Sequence, residues 1–106
     1  MGAEERQKQA QELLRLTGEM LSLAKAGEWA ELAVRESERQ RLASELFATP
    51  VPSEAASTVA DCIRRVLDLD QEVLVLVEAG RDEAARVLRE ANLGREALNA
   101  YRRFSR

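Results

Sequence analysis

The fold is decided by the longest unbroken stretch of the chain, residues 53–92, which reads SEAASTVADCIRRVLDLDQEVLVLVEAGRDEAARVLREAN. This stretch contains no proline, and Gly80 is its one glycine. Its apolar residues recur every three or four positions, which is the repeat of one face of an α-helix. The spacing therefore predicts a single long helix, and forty residues at about 1.5 Å each would span roughly 60 Å.

Two apolar stripes run side by side along this predicted helix. The main stripe, which two charged residues interrupt, consists of Val59, Ile63, Val66, Leu67, Asp70, Leu74, Val77, Arg81, Ala84 and Leu88. The second stripe consists of Cys62, Leu69, Val73, Leu76, Gly80 and Val87. Because a helix with so much apolar surface must be covered on most sides, we expect the other helices to cover both stripes up to Val77. From Leu76 onward, we expect the second stripe to form an open groove.

Two further helices precede the long one. The apolar spacing predicts a first helix over residues 4–26 and, after the break at Gly27, a second helix over residues 28–48. Pro50 and Pro52 end the second helix, and Ser53 is a suitable N-cap for the third. Asn92-Leu93-Gly94 is typical of a helix C-terminus, so a short fourth helix is predicted over residues 95–104.

These elements predict an all-α fold, namely an antiparallel three-helix bundle with a long third helix and a short, mobile C-terminal fourth helix. Because the chain has 106 residues, a single domain over residues 1–106 is expected. Charged residues occupy the middle of the second helix, where Glu36 and Arg39 can pair at a spacing of three. Arg39 should also lie near Asp70. This layer either fixes the register of the helices or supplies charged anchors at the mouth of the groove.

Composition argues against several functional classes. The net charge of −3 argues against a dedicated nucleic-acid-binding protein. The chain has no histidine, and its single cysteine, Cys62, lies on an apolar stripe, so we expect no catalytic residue, metal site, cofactor or internal disulfide. No stretch approaches 18 apolar residues and the first six residues resemble no secretory signal, so we expect a cytoplasmic protein without membrane insertion.

Several short motifs together resemble one protein family, the FliT-type flagellar chaperones. Four segments carry the resemblance: Leu21-Ser22-Leu23-Ala24-Lys25-Ala26-Gly27-Glu28-Trp29, then Glu36 and Arg39 followed by Leu42, Leu46 and Phe47, then residues 63–72, and Ala97-Leu98-Asn99-Ala100-Tyr101. The resemblance covers residues 13–101. It implies a cytoplasmic chaperone of flagellar type III export that binds the C-terminal region of the filament-cap protein FliD and prevents its early assembly. It also implies contacts of some members with export-gate and ATPase components or with the flagellar master transcription regulator.

The predicted partner-binding residues are Leu69, Val73, Leu76, Arg81, Val87, Leu98 and Tyr101. The leucines and valines of the third helix would contact an amphipathic segment of the cap protein, and Arg81 would be a polar anchor. Leu98 and Tyr101, on the predicted fourth helix, would act as a competitor or lid.

Two alternative functions stay open. One is a self-associating helical adaptor whose second stripe forms a homodimer interface. The other is a small regulator of flagellar gene expression that acts through the basic tail. This tail contains one acidic residue, Glu96, and four arginines, namely Arg95, Arg102, Arg103 and Arg106.

Overall fold

The computed structural model describes residues 2–104, and these residues form three α-helices. Helix α1 spans Ala3–Ala26, α2 spans Trp29–Leu46 and α3 spans Ser53–Phe104. The predicted all-α class with a long third helix is therefore confirmed. The chain divides into two compact units, Met1–Leu76 and Val77–Arg106. The first unit holds α1, α2 and the first half of α3, and the second unit holds the rest of α3.

Helix α1 ends at Gly27, as predicted. Gly27 has a left-handed backbone conformation with φ of 71°, which glycine adopts without the steric cost of a Cβ atom. The Gly27 N–H donates to the Ala24 carbonyl at 3.1 Å, and the Glu28 N–H donates to the Leu23 carbonyl at 2.9 Å. This pair of hydrogen bonds is the Schellman motif, which satisfies the last carbonyl groups of a helix. The chain then reverses at once into α2.

In the first unit, helices that follow one another in the chain run antiparallel. Near one end, the Arg6 Nη1 atom of α1 donates to the carbonyl of Leu46 at the end of α2. Further along, the Arg35 Nε atom of α2 lies 3.5 Å from the Glu19 carboxylate of α1. Gln7 of α1 donates through its amide to the Glu54 carbonyl at the start of α3. Helices α1 and α3 therefore begin at the same end of the unit, and α2 runs in the opposite direction between those ends.

The core of the first unit is aliphatic. Its central cluster of buried residues draws on all three helices and consists of Ala10, Leu13, Leu46, Ala55, Val59, Cys62 and Val66. Buried side chains elsewhere in the unit include Leu16, Met20, Leu32 and Val73. The predicted interior position of Cys62 is confirmed, since its side chain is buried as a free thiol. Burying a valine or leucine side chain contributes about 1.5–3 kcal/mol to stability, so the valines and leucines of this cluster hold the three helices together.

The prediction of a separate fourth helix is wrong for the described residues. Helix α3 continues without interruption through Asn92 and Gly94 to Phe104. In the described chain, Gly27 alone among the glycines has a positive φ, so Gly94 does not adopt the left-handed conformation that ends a helix. An interior glycine costs roughly 1 kcal/mol relative to alanine, and the flanking residues are mostly good helix formers. The predicted mobile last helix is instead the end of α3.

The predicted polar layer between α2 and α3 is present. Arg39 forms an ion pair with Asp70 of α3, and its Nη2 atom lies 2.6 Å from the Glu36 carboxylate. The Arg39 side chain is largely covered, whereas the two carboxylates are more exposed. A partly covered guanidinium that hydrogen-bonds two carboxylates has its charge neutralised where the helices meet, so the pairing favours one register of α2 against α3.

Candidate partner-binding surface

The second unit carries an apolar face that its own residues leave uncovered. Half or more of the side chains of Val87 and Leu88 is exposed, as is 48% of Leu98 and 71% of Tyr101. These residues lie on one side of α3 because they recur at spacings that keep helical side chains on one face. We call this surface the distal face, and it consists of Val77, Gly80, Ala84, Val87, Leu88, Ala91, Gly94, Leu98 and Tyr101.

Small residues make up much of the distal face. Gly80, Ala84, Ala91 and Gly94 lie between the larger side chains. A Cβ atom built on Gly94 would meet nothing within 4 Å. Small side chains allow the backbone of a second helix to approach closely, so the shape of this face suits packing against another helix.

The ion pairs of Arg86 lie at one edge of the distal face. Arg86 hydrogen-bonds Glu83 and Glu90, with nitrogen–oxygen distances of 2.5 Å to each carboxylate. The hydrogen bond to Glu83, and to a smaller extent that to Glu90, raises the pKa of the Arg86 guanidinium. Arg81 and Arg95 lie toward the opposite edge, and among the described residues they have no ion-pair partner. The face is therefore bordered by an edge whose charges are paired with one another and by a cationic edge.

The structure separates the predicted partner-binding residues into two groups. In the first unit, Val73 is buried with 7% of its surface exposed, and Leu69 and Leu76 are half-buried. The other four residues, Arg81, Val87, Leu98 and Tyr101, are all exposed and belong to the second unit. Val73 therefore contributes to the interior of the first unit, and the exposed members of the predicted set lie at or beside the distal face.

The buried seam of α3 in the first unit combines residues from both predicted stripes. Ala55, Val59, Cys62, Val66 and Val73 are buried, whereas Leu67 and Leu74 of the main stripe are at least half exposed. The signal that separates them is the alternating spacing of four and three that begins at Ala55, which keeps one narrow seam facing its neighbours. Leu88 of the distal face was not among the predicted partner-binding residues, although its side chain is exposed.

Nothing in the described residues suggests metal or membrane chemistry. Between residues 2 and 104, no group of three or more cysteine or acidic side chains is arranged to hold a metal ion. None of the helices in that range combines the length and apolar character that crossing a bilayer requires.

A comparison with known protein families gives a match over most of the chain. The family model described as flagellar protein FliT matches residues 7–103. No curated protein and no solved structure matches the chain. The matched range includes the three helices of the first unit, apart from the first residues of α1, and all of the distal face. Since this range is most of the chain, the protein belongs to the flagellar protein FliT family and is a flagellar protein.

Proposed function

We propose that this protein is a cytoplasmic chaperone of flagellar type III export that binds the filament-cap protein, a FliD-like protein, and prevents its premature assembly. The observation that carries the proposal is the exposed distal face in a member of a flagellar family. Contiguous exposed apolar surface marks sites of protein contact, and an amphipathic helix can lay its apolar side on such a surface. No catalytic step is part of the proposal.

The proposed contacts follow from exposure. Val87, Leu98 and Tyr101 supply apolar contact area, and Arg81 is the polar anchor beside them. Leu69 and Leu76 are proposed as a further contact set in the first unit, where they are half-buried. Val73 acts from the interior, by holding α3 against its neighbours. Leu98 and Tyr101 belong to α3 itself, so they are proposed as contact residues and not as parts of a separate lid.

A binding measurement with a matched control tests the proposal. The purified filament-cap protein of the same organism is titrated into the full chain, and into the Leu98→Asp and Leu93→Asp variants. Both leucines are exposed on α3, but they lie about 140° apart around the helix because they are five residues apart. We expect Leu98→Asp to weaken binding at least tenfold, which corresponds to about 1.4 kcal/mol. Leu93→Asp should bind like the natural chain.

Two outcomes would contradict the proposal. One is that the cap protein fails to bind the natural chain. The other is that both aspartate variants bind as tightly as the natural chain while circular dichroism shows all three proteins folded. Export ATPase components are proposed as further partners, and the same variants can be titrated with them.

Self-association is the second candidate function, favoured by the small residues of the distal face, which suit a close approach of two helices. Sedimentation across a range of protein concentrations distinguishes it, because a monomer at all concentrations removes it. The role as a small regulator of flagellar gene expression would rest on the basic residues Arg95, Arg102 and Arg103, while Arg106 lies outside the described residues. Its test is partner binding that is lost when residues 95–106 are removed.

A further inference from the structure

The charged residues that border the distal face differ in whether they are already paired. At one edge, Glu83 and Glu90 are both held by Arg86 at 2.5 Å. Toward the other edge, Arg81 and Arg95 are exposed, and neither forms an ion pair within residues 2–104. The molecule therefore pairs its own charges, two carboxylates with one guanidinium, on one side of the apolar surface and leaves unpaired cations on the other.

The two arginines are placed in line with each other. They are fourteen residues apart with Leu88 midway between them, so they lie about 21 Å apart along the same side of the helix. The small residues Gly80, Ala84, Ala91 and Gly94 would let the backbone of a second helix come close to this surface. When the backbone of a second helix lies this close, the long side chains of Arg81 and Arg95 can reach the side chains along the edge of that helix.

A segment that covers the distal face must carry side chains of suitable charge next to Arg81 and Arg95. A guanidinium at the rim of an apolar contact loses part of its hydration, and it regains that energy when a carboxylate accepts two hydrogen bonds from its planar fork. A covering segment with lysine or arginine at these positions would meet like charge, which is unfavourable at an interface. The arginines therefore select for an acidic edge on the partner.

A second copy of this chain does not meet the requirement in the antiparallel arrangement. Arg81 and Arg95 lie seven residues on either side of Leu88. Two copies of α3 crossing antiparallel at Leu88 would place Arg81 of one copy beside Arg95 of the other. The cationic edges would then repel each other, so the charge pattern disfavours an antiparallel pair of copies as the occupant.

We infer that the segment bound on the distal face is an amphipathic helix with aspartate or glutamate side chains along one edge, two heptads apart, opposite Arg81 and Arg95. The inference rests on the proposed function, and it specifies which segment of the filament-cap protein is held. The apolar side of that helix covers Val87, Leu98 and Tyr101, and its acidic edge pairs with the two arginines. Glu83 and Glu90, next to the partner's other edge, already accept hydrogen bonds from Arg86, so Arg81 and Arg95 are the unpaired charges that the partner must match.

The experiment compares charge reversals on and off this edge in the full chain. The purified filament-cap protein is titrated with Arg81→Glu, Arg95→Glu, the double variant and the control Arg89→Glu. Arg89 is also exposed and without an ion pair within the described residues, but it lies about 120° around the helix from Arg95. We expect the double variant to lose at least tenfold in affinity and the control to change less than about threefold, with tighter natural binding at low salt.

A charge swap completes the test. Lysine is substituted for acidic residues in the C-terminal region of the cap protein, and we expect at least one such variant to restore binding to the double variant. If the natural chain binds no cap protein, the proposed function and this inference both fail. If the natural chain binds but the double variant and the control bind equally well, with all proteins folded by circular dichroism, the inference alone is overturned.

Discussion

The two halves of α3 have the same helical repeat of apolar residues, but the repeat is buried in the first half and exposed in the second. Over residues 53–76, five side chains of the helix are buried, at Ala55, Val59, Cys62, Val66 and Val73. Over residues 77–103, no side chain is buried, although Val87, Leu88 and Leu98 continue the repeat. The difference teaches that periodicity identifies a face that binds apolar surface, and that it does not tell whether the covering surface belongs to the same chain.

The largest expected effect comes from placing the same charge in each half. Val66→Asp puts a carboxylate into the core, and an unpaired buried charge should cost about 4 kcal/mol or more, enough to unfold a small domain. Val87→Asp adds a charge to an exposed site, so the free energy of unfolding should change by less than about 0.5 kcal/mol. Urea titrations followed by circular dichroism compare the two variants. Equal destabilisation by both would mean that the distal face is covered within the chain.

A smaller loss is expected when the buried arginine of α1 is replaced. Arg6 is 2% exposed and donates to the carbonyl oxygens of Leu46, at 2.9 Å, and Thr49, at 3.1 Å, and also to the Thr49 hydroxyl. Arg6→Met leaves these acceptors without their donors, which should cost about 1–3 kcal/mol. The matched control is Arg65→Met, because Arg65 is exposed. Thermal unfolding should show a lower midpoint for Arg6→Met only, and an unchanged midpoint would mean that water replaces the guanidinium.

Two glycine substitutions should have effects of opposite sign. Gly27→Ala places a Cβ atom at a left-handed position, and it should destabilise the first unit by about 1 kcal/mol. Gly94→Ala lies in the interior of α3 with free space around the new methyl group, and it should favour the helix by about 0.5–1 kcal/mol. Urea unfolding measures the first change, and helix content by circular dichroism measures the second. A loss of helix content in Gly94→Ala would show that the chain bends there.

The smallest expected change concerns the polar layer. Asp70→Asn removes one of the two carboxylates on Arg39, and Glu36 remains bound to it at 2.6 Å. Partly exposed ion pairs contribute little, so the stability should fall by less than about 1 kcal/mol. A double-mutant cycle with Arg39→Met measures the coupling. If the cap protein binds the Asp70→Asn variant more weakly, the layer also serves as an anchor for the partner, as the alternative interpretation holds.

Local chemistry explains which features the sequence predicts well. The turn at Gly27 and the loop at Pro50 and Pro52 depend on backbone restrictions of single residues, so they are readable without a structure. The pairing of Arg39 with Asp70 follows from the loop position and the helical rise. These features required knowledge only of neighbouring residues and of one chain reversal.

Features that depend on distant partners were not predictable in the same way. Arg6 lies in a charged stretch, and its buried position follows from carbonyl groups some forty residues away, at the end of α2. Asn92 and Gly94 have the composition of a helix end, but the cost of one interior glycine is small beside the preference of the residues around it. On the candidate site, the repeat predicted an exposed position at Val87 but placed Val73, a core residue, in the same partner-binding set.

The continuity of α3 has a consequence for the cooperativity of unfolding. Residues 77–103 bury no side chain, and most helical stability in proteins comes from tertiary packing, so this part of the helix should melt gradually. Trp29, the only tryptophan, lies in the first unit and reports on that unit alone. Fluorescence should therefore show a sharp transition while circular dichroism shows a broader one that begins earlier. Non-coincident curves of this kind mean that a single two-state free energy would misdescribe this protein, and that a bound partner should bring the two curves together.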